Sequence, residues 1–148
     1  MRVDMARLDE VRTVAEMAKG FEQATAFVQV DVDHCTKTYT RLLQKGVGGL
    51  LVLRDDAGAI RGGLGYVISE DLHSPIKIAV ETFWFVPPEC RGEGVKLVVA
   101  FEEMARLNGC AKAAMIHMED SYPEVLQLLY RRRKYKLIER HYLKEIEP

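Results

Sequence analysis

The segment FWFVPPECRGEGVKLVVAFEEMARL, Phe83 to Leu107, constrains the chain more than any other stretch. Its aromatic and β-branched start reads as the end of a strand. The run stops at Pro87 and Pro88, which cannot donate ladder hydrogen bonds. Arg91, Gly92, Glu93 and Gly94 follow, and an amphipathic stretch begins at Val95. A strand, a glycine-containing turn and a helix start, in that order, can build an anion site from main-chain N–H groups. The first N–H groups of a helix have no partner inside it and carry the positive end of its dipole. Gly92 and Gly94 are expected to take φ > 0 and to let a ligand approach the backbone without Cβ contact. The lysine and hydroxyl of a G-x-x-x-x-G-K-[ST] loop are missing, so a nucleoside triphosphate with magnesium is not the expected guest.

Around this segment the pattern alternates between helix and strand periods. Leu8, Val11, Val14, Met17, Ala18 and Phe21 predict an amphipathic helix over residues 8–20. Asp33 is a plausible N-cap for a second helix carrying Cys35, Tyr39, Leu42 and Leu43, closed at Gly46. VGGLLVLRDDAGAIRGGLGYVISED reads as a hairpin turning at Asp55 to Gly58, and KIAVETFWFV as a third antiparallel strand. Val95, Val98, Val99 and Ala105 give the next helix its stripe, broadened by Leu97 and Phe101 and ended near Asn108-Gly109. AKAAMIHM is a short buried strand, SYPEVLQLLYRRRKY a helix with Pro123 near its first turn, and KLIERHYLKEI an alternating final strand. The fold class is therefore α+β: a mixed, mainly antiparallel sheet with helices on both faces, three layers in one domain over residues 1–148. A plain Rossmann unit is disfavoured, because the glycine-containing turn comes after the third strand of a meander.

A length of 148 residues suits one domain, and a formal net charge of −1 gives no global pull toward nucleic acid or an anionic membrane. YRRRKYK, residues 130–136, reads as a solvated helix end rather than a nucleic-acid patch. No apolar run approaches the length of a membrane span and the N-terminus is too charged for a secretory signal, so a cytoplasmic protein is expected. Cys35, Cys90 and Cys110 form no C-x-x-C pair, and the four histidines have no metal-ligand spacing. Reduced thiols and no metal are the expectation.

The segment from Phe83 onward resembles the strand–loop–helix of the GCN5-related N-acetyltransferases, commonly written [QR]-x-x-G-x-[GA], here Glu89-Cys90-Arg91-Gly92-Glu93-Gly94. The hairpin LLVLRDDAGAIRGGLGYVI resembles that family's second and third strands. VLQLLYRRRKYKLIERHYLKEI resembles its closing helix and hairpin, with Tyr130 followed five residues later by Tyr135. The chain departs from the pattern at four places. Glu89 replaces glutamine or arginine, Lys96 a residue that is often small, and Pro123 and Lys134 an asparagine and a glycine. The resemblance implies acetyl-CoA as acyl donor and a primary amine as acceptor, with direct attack in a ternary complex. It places the pantetheine arm on Trp84, Phe85 and Val86, and the phosphates on Arg91, Gly92, Glu93, Gly94, Val95 and Lys96.

Acyl transfer from a thioester needs a deprotonated amine, a donor for the carbonyl oxygen and an acid for the leaving thiolate. Tyr130, matching the family's tyrosine, is the candidate acid: a phenol of pKa about 10 can protonate a thiolate of pKa about 8.5. Glu81 is the candidate base, although strict period-2 alternation groups it with Phe83 and Phe85 and opposite Trp84. His117, Glu119 and Asp120 follow the next strand and stand as alternatives. A non-catalytic CoA-binding or interaction module on the same fold is the rival reading, and oligomerisation is left open.

Overall fold

Every residue of Gly48–Arg54 is buried, so the sheet that holds this segment must be covered on both faces. The computed structural model describes residues 1–23, 25–26 and 28–146. They fall into two compact units, one ending at Ile116 and one starting at His117. The first unit contains strands β1 (Arg2–Met5), β2 (Gly48–Arg54), β3 (Ile60–Glu70), β4 (Lys77–Phe85) and β5 (Cys110–Ala114). Its helices are α1 (Val11–Ala18), α2 (Val32–Lys45) and α3 (Val95–Leu107). The sheet order is β1-β2-β3-β4-β5, antiparallel throughout except for the parallel pair β4–β5. This is the expected α+β class with a mixed sheet. Among the described residues no helix is long and apolar enough to cross a membrane.

Alternation along β2 divides the core. Leu50 and Val52 pack with Val11 and Val14 of α1 and with Tyr39 and Leu43 of α2. Leu51 and Leu53 pack on the other face with Leu64, Leu97 and Phe101, the last two from α3. Leu97 and Phe101 are fully buried, each side chain contributing about 2–3 kcal/mol of hydrophobic stabilisation. The buried stripe of α3 is Leu97, Val98, Phe101, Met104 and Ala105. Val95 and Val99, expected in that stripe, are exposed, because α3 presents one side to the sheet and they lie off it.

Local signals fixed several boundaries and missed others. Asp55 Oδ1 accepts from the N–H groups of Ala57 and Ala59, and Gly58 takes φ +86°, which turns the β2–β3 hairpin where expected. Gly46 closes α2 in the left-handed conformation. The α2 cap is Asp31, not Asp33: Asp31 Oδ1 accepts from the His34 N–H at 2.9 Å, whereas Asp33 pairs with Arg12 at 2.7 Å. Strand β1 was not expected, since four residues are too few to show a period. It is fixed by pairing with β2 and by Arg54, which is buried between Asp4 at 3.0 Å and Glu10 at 2.7 Å.

The second unit holds α4 (Pro123–Arg132), with its proline in the first turn as expected. Residues 136–146 form neither helix nor strand, contrary to the final strand read from KLIERHYLKEI. Its apolar residues are the adjacent pairs Leu137-Ile138 and Tyr142-Leu143 and then Ile146, so no single face is apolar, and all five are exposed. At the end of α4 the Tyr135 N–H donates to the Tyr130 carbonyl at 2.9 Å and the Lys134 N–H to the Arg131 carbonyl at 3.0 Å. Lys134 takes φ +66° and the rings of Tyr130 and Tyr135 lie 5.7 Å apart. This is a Schellman cap with its apolar contact, and it gives a physical reason for glycine at that position. Lys134→Gly should therefore stabilise the protein by about 1 kcal/mol, read as a higher urea midpoint at unchanged m-value. An unchanged midpoint would show that the lysine side chain offsets its own backbone strain.

Candidate functional site

Strand β4 changes character halfway along. Its pairing with β5 runs from Lys77↔Cys110 to Val80↔Ala114 and stops there, while β4 continues to Phe85. From Glu81 onward the β4 edge on the β5 side is released from the sheet. At the same place the β3–β4 register shifts: Gly65 opposes Phe83 and Tyr66 opposes Glu81, leaving Thr82 as the extra residue of a bulge. A bulge reverses the alternation. Ala79 and Trp84 both belong to the α3 face, while Thr82 and Phe83 meet Tyr39 on the α1/α2 face. Glu81, two residues after Ala79 and opposite Tyr66, shares the α3 face with Trp84. The expectation from strict alternation is corrected, and the bulge is the reason.

Glu81 is 4% exposed, and its Oε2 accepts the Ile116 N–H at 2.8 Å. Burial pushes its carboxyl up from the ordinary 4.5 to about 7, with the N–H bond pulling the other way. Between pH 4.5 and about 7 the unfolded chain ionises at this residue and the folded chain does not. Stability therefore falls as pH rises through that window and levels off above it, a loss on the order of 3 kcal/mol. Glu81→Gln should flatten this part of the pH–stability profile. The same slope in the variant would mean that Glu81 is not the titrating group.

The link from β4 to α3 is a 3-10 turn, Pro88–Glu93, with Gly94 at the helix cap. Neither Gly92 nor Gly94 has positive φ; Gly94 sits at −58°, an ordinary helical value, so the expected left-handed turn does not form. The turn winds the same way as the helix it feeds. Gly94 matters for a different reason: a Cβ there would lie 3.1 Å from Val86 Cγ2 and 3.2 Å from Trp84 Cζ2, tighter than ordinary van der Waals contact. A Cβ at Gly92 would meet nothing within 4 Å. The Gly94 N–H, one of the anion donors expected, already donates to the Arg91 carbonyl at 3.2 Å.

Around the turn, Lys96 Nζ lies 2.6 Å from Glu93 Oε2 and donates to the Met1 carbonyl at 3.0 Å. Lys96 holds Glu93 below the usual carboxylate range, while Arg91 is exposed. Trp84 Nε1 is buried and has no hydrogen-bond partner among the described residues. The first unit thus has, near the turn, a β4 edge that β5 does not pair, an orphaned indole donor on β4 and an open space over Gly92. In the second unit Tyr130 is buried, with the His117 ring edge-on at a centroid distance of 6.4 Å.

One part of the first unit was not anticipated. On the α1/α2 face lies a partly enclosed cavity of about 150 Å³ that reaches the sheet at Thr82 and Phe83. Its lining comes from α1, the following turn, the segment before α2, α2 itself, β2 and β4, so no local pattern could reveal it. Tyr39 Oη and Thr82 Oγ1 are hydrogen-bonded across it at 2.5 Å, and burial raises the phenol to about 12. Gly65 makes room for this contact, since a Cβ there would lie 2.5 Å from Tyr39 Oη.

No protein-family model matches the sequence, and no curated protein matches it. Solved structures do. A protein described as a "probable acetyltransferase" is 16% identical with a TM-score of 0.78, covering 100% of this chain and 99% of its own. Ribosomal-protein-alanine N-acetyltransferase from Brucella melitensis biovar Abortus 2308 is 17% identical with a TM-score of 0.73, covering 99% and 100%. Glucosamine-6-phosphate N-acetyltransferase from Arabidopsis thaliana is 15% identical with a TM-score of 0.73, covering 99% and 98%. This chain, with its sheet order β1-β2-β3-β4-β5 and the one parallel pair β4–β5, has the fold of these acetyltransferase structures.

Proposed function

We propose that the protein is an acyl-CoA-dependent N-acyltransferase that moves an acetyl group to a primary amine by direct attack in a ternary complex. The observation that carries the reading is the released β4 edge, which runs through Trp84 to Val86 into the turn and the N-terminus of α3. Acetyl-CoA supplies the thioester acyl group. The main chain of Trp84, Phe85 and Val86 would pair with its pantetheine arm, and residues Arg91 to Lys96 would hold its phosphates. Val95 and Lys96 contribute first-turn backbone groups, and Lys96 would exchange Glu93 for phosphate oxygen. Main-chain groups at Phe85 or Val86 would meet the thioester oxygen.

Two side chains are assigned proton work. Glu81, with a carboxyl near pKa 7, is poised as the base, taking the amine's proton through water because it is itself buried. Tyr130 is assigned the acid that protonates the departing sulfur. The same burial of Glu81 also favours the second reading, a CoA-binding module without turnover, since a base out of reach serves only the fold.

The deciding experiment is a melting curve with and without millimolar acetyl-CoA, followed by release of free thiol with an amine panel. A ligand at a hundred times its Kd should add about 2.7 kcal/mol of stability. A melting temperature indifferent to acetyl-CoA sinks both readings. A shift without thiol release favours the module.

A further inference from the structure

We propose that the cavity on the α1/α2 face selects the acceptor, and that the acceptor is a monoamine carrying an apolar substituent of about phenyl or isobutyl size. This rests on the acyltransferase reading and adds the substrate class to it. The cavity walls are mostly apolar: Val14 and Ala18 from α1, Phe21 from the turn after it, Leu50 from β2 and Phe83 from β4. Among the described residues no charged side chain lines it; the polar groups are Gln29, Cys35, Tyr39 and Thr82. An apolar cavity of about 150 Å³ is large enough for a benzene-sized group.

Charge and position narrow the class further. A phosphosugar would bring an anion with no cation to meet it, and a polyamine would bury positive charge without a carboxylate. Tyr39 is already satisfied by Thr82, so the remaining polar capacity suits one small group rather than a sugar's ring of hydroxyls. The cavity meets the sheet at Thr82, the bulged residue just past the last β4–β5 pair, where the β4 edge is released. A substituent seated in the cavity would thus bring its amine to the strand assigned to the thioester. Apolar walls also disfavour the ammonium form and lower the amine's pKa from about 10.4, which eases deprotonation. The transfer forms one N–C bond and breaks one C–S bond. The proton lost by nitrogen balances the one gained by sulfur.

The test measures binding and transfer separately. Phenethylamine and isoamylamine are titrated by calorimetry into wild type and Ala18→Leu, whose larger side chain fills the cavity. Thiol release from acetyl-CoA is then compared for these amines, ethanolamine, glucosamine and spermidine. Wild type should use the apolar amines with kcat/KM at least tenfold above the polar ones, and Ala18→Leu should weaken their binding tenfold or more. Should Ala18→Leu fail to fold, Phe21→Ala enlarges the cavity and should shift preference toward naphthyl-substituted amines. Equal use of glucosamine or spermidine overturns the proposed class and leaves the acyltransferase reading standing. Absence of phenethylamine binding to wild type overturns the proposal. Binding that Ala18→Leu abolishes, with no thiol released from any amine, overturns the acyltransferase reading but supports the cavity as an apolar-amine site.

Discussion

Tyr130→Phe should lower kcat for an identified acceptor by about 10²–10⁴ while leaving acetyl-CoA affinity nearly unchanged. The change removes one oxygen and keeps the ring. The ring is what packs: it meets Tyr135 at 5.7 Å across the α4 cap and His117 at 6.4 Å. The cap's two hydrogen bonds come from main chain, so they survive the substitution. A fall in rate with an unchanged acetyl-CoA melting shift would then report loss of the proton donor. Single-turnover thiol release, compared with the acetyl-CoA melting shift on the same preparations, separates the two quantities. If the variant turns over as fast as wild type, Tyr130 is a cap aromatic and the acid lies elsewhere.

Gly94→Val should abolish the melting shift produced by acetyl-CoA, and it should also lower the melting temperature of the free protein. A Cβ at Gly94 meets Val86 Cγ2 at 3.1 Å, Trp84 Cζ2 at 3.2 Å and the Arg91 carbonyl at 3.4 Å. The two methyls of valine must then push the turn away from β4, a strain of about 1–3 kcal/mol. Gly92→Ala is the complementary variant, because its Cβ meets no protein atom within 4 Å. It should melt like wild type without ligand and show a smaller shift with acetyl-CoA, since only the ligand would contact the added methyl. A full shift in Gly92→Ala would place the phosphates away from this turn. A full shift in Gly94→Val would remove the turn from the binding reading entirely.

Legibility followed the range of the interaction. The hairpin at Asp55 to Gly58 and the end of α2 at Gly46 are set by residues next to one another, and both were placed from turn and cap chemistry. From α1 to α4 the order of strands and helices was legible too, because a stripe or an apolar run marks each segment; β1 was missed, and β5, read as buried, has no buried residue because it lies at the sheet edge. The α2 cap missed by two residues, since Asp31 and Asp33 are equally good acceptors and Arg12, from another helix, claims the second. The strand expected over 136–146 failed because a ladder needs a partner that composition cannot supply. For the candidate site, the residues of the turn could be named but not its conformation, and the tight space at its glycine is set by side chains before it.

By itself the sequence determined the α+β class, the meander followed by a turn and helix, and the segment from Trp84 to Lys96 as the place to look. Local physics suffices there: φ limits at proline and glycine, helix caps, and the periods of 2 and 3.6 residues act within a few positions. Only the tertiary structure decided the face of Glu81, because the Thr82 bulge exists only in the pairing of β3 with β4. It alone decided that the β4 edge is released, which depends on where β5 stops. It alone formed the cavity on the α1/α2 face, whose walls come from segments between Val14 and Phe83. Burial raised Glu81 toward neutral pH and Tyr39 to about 12, and burial is a property of the packed chain rather than of any residue's neighbours in sequence.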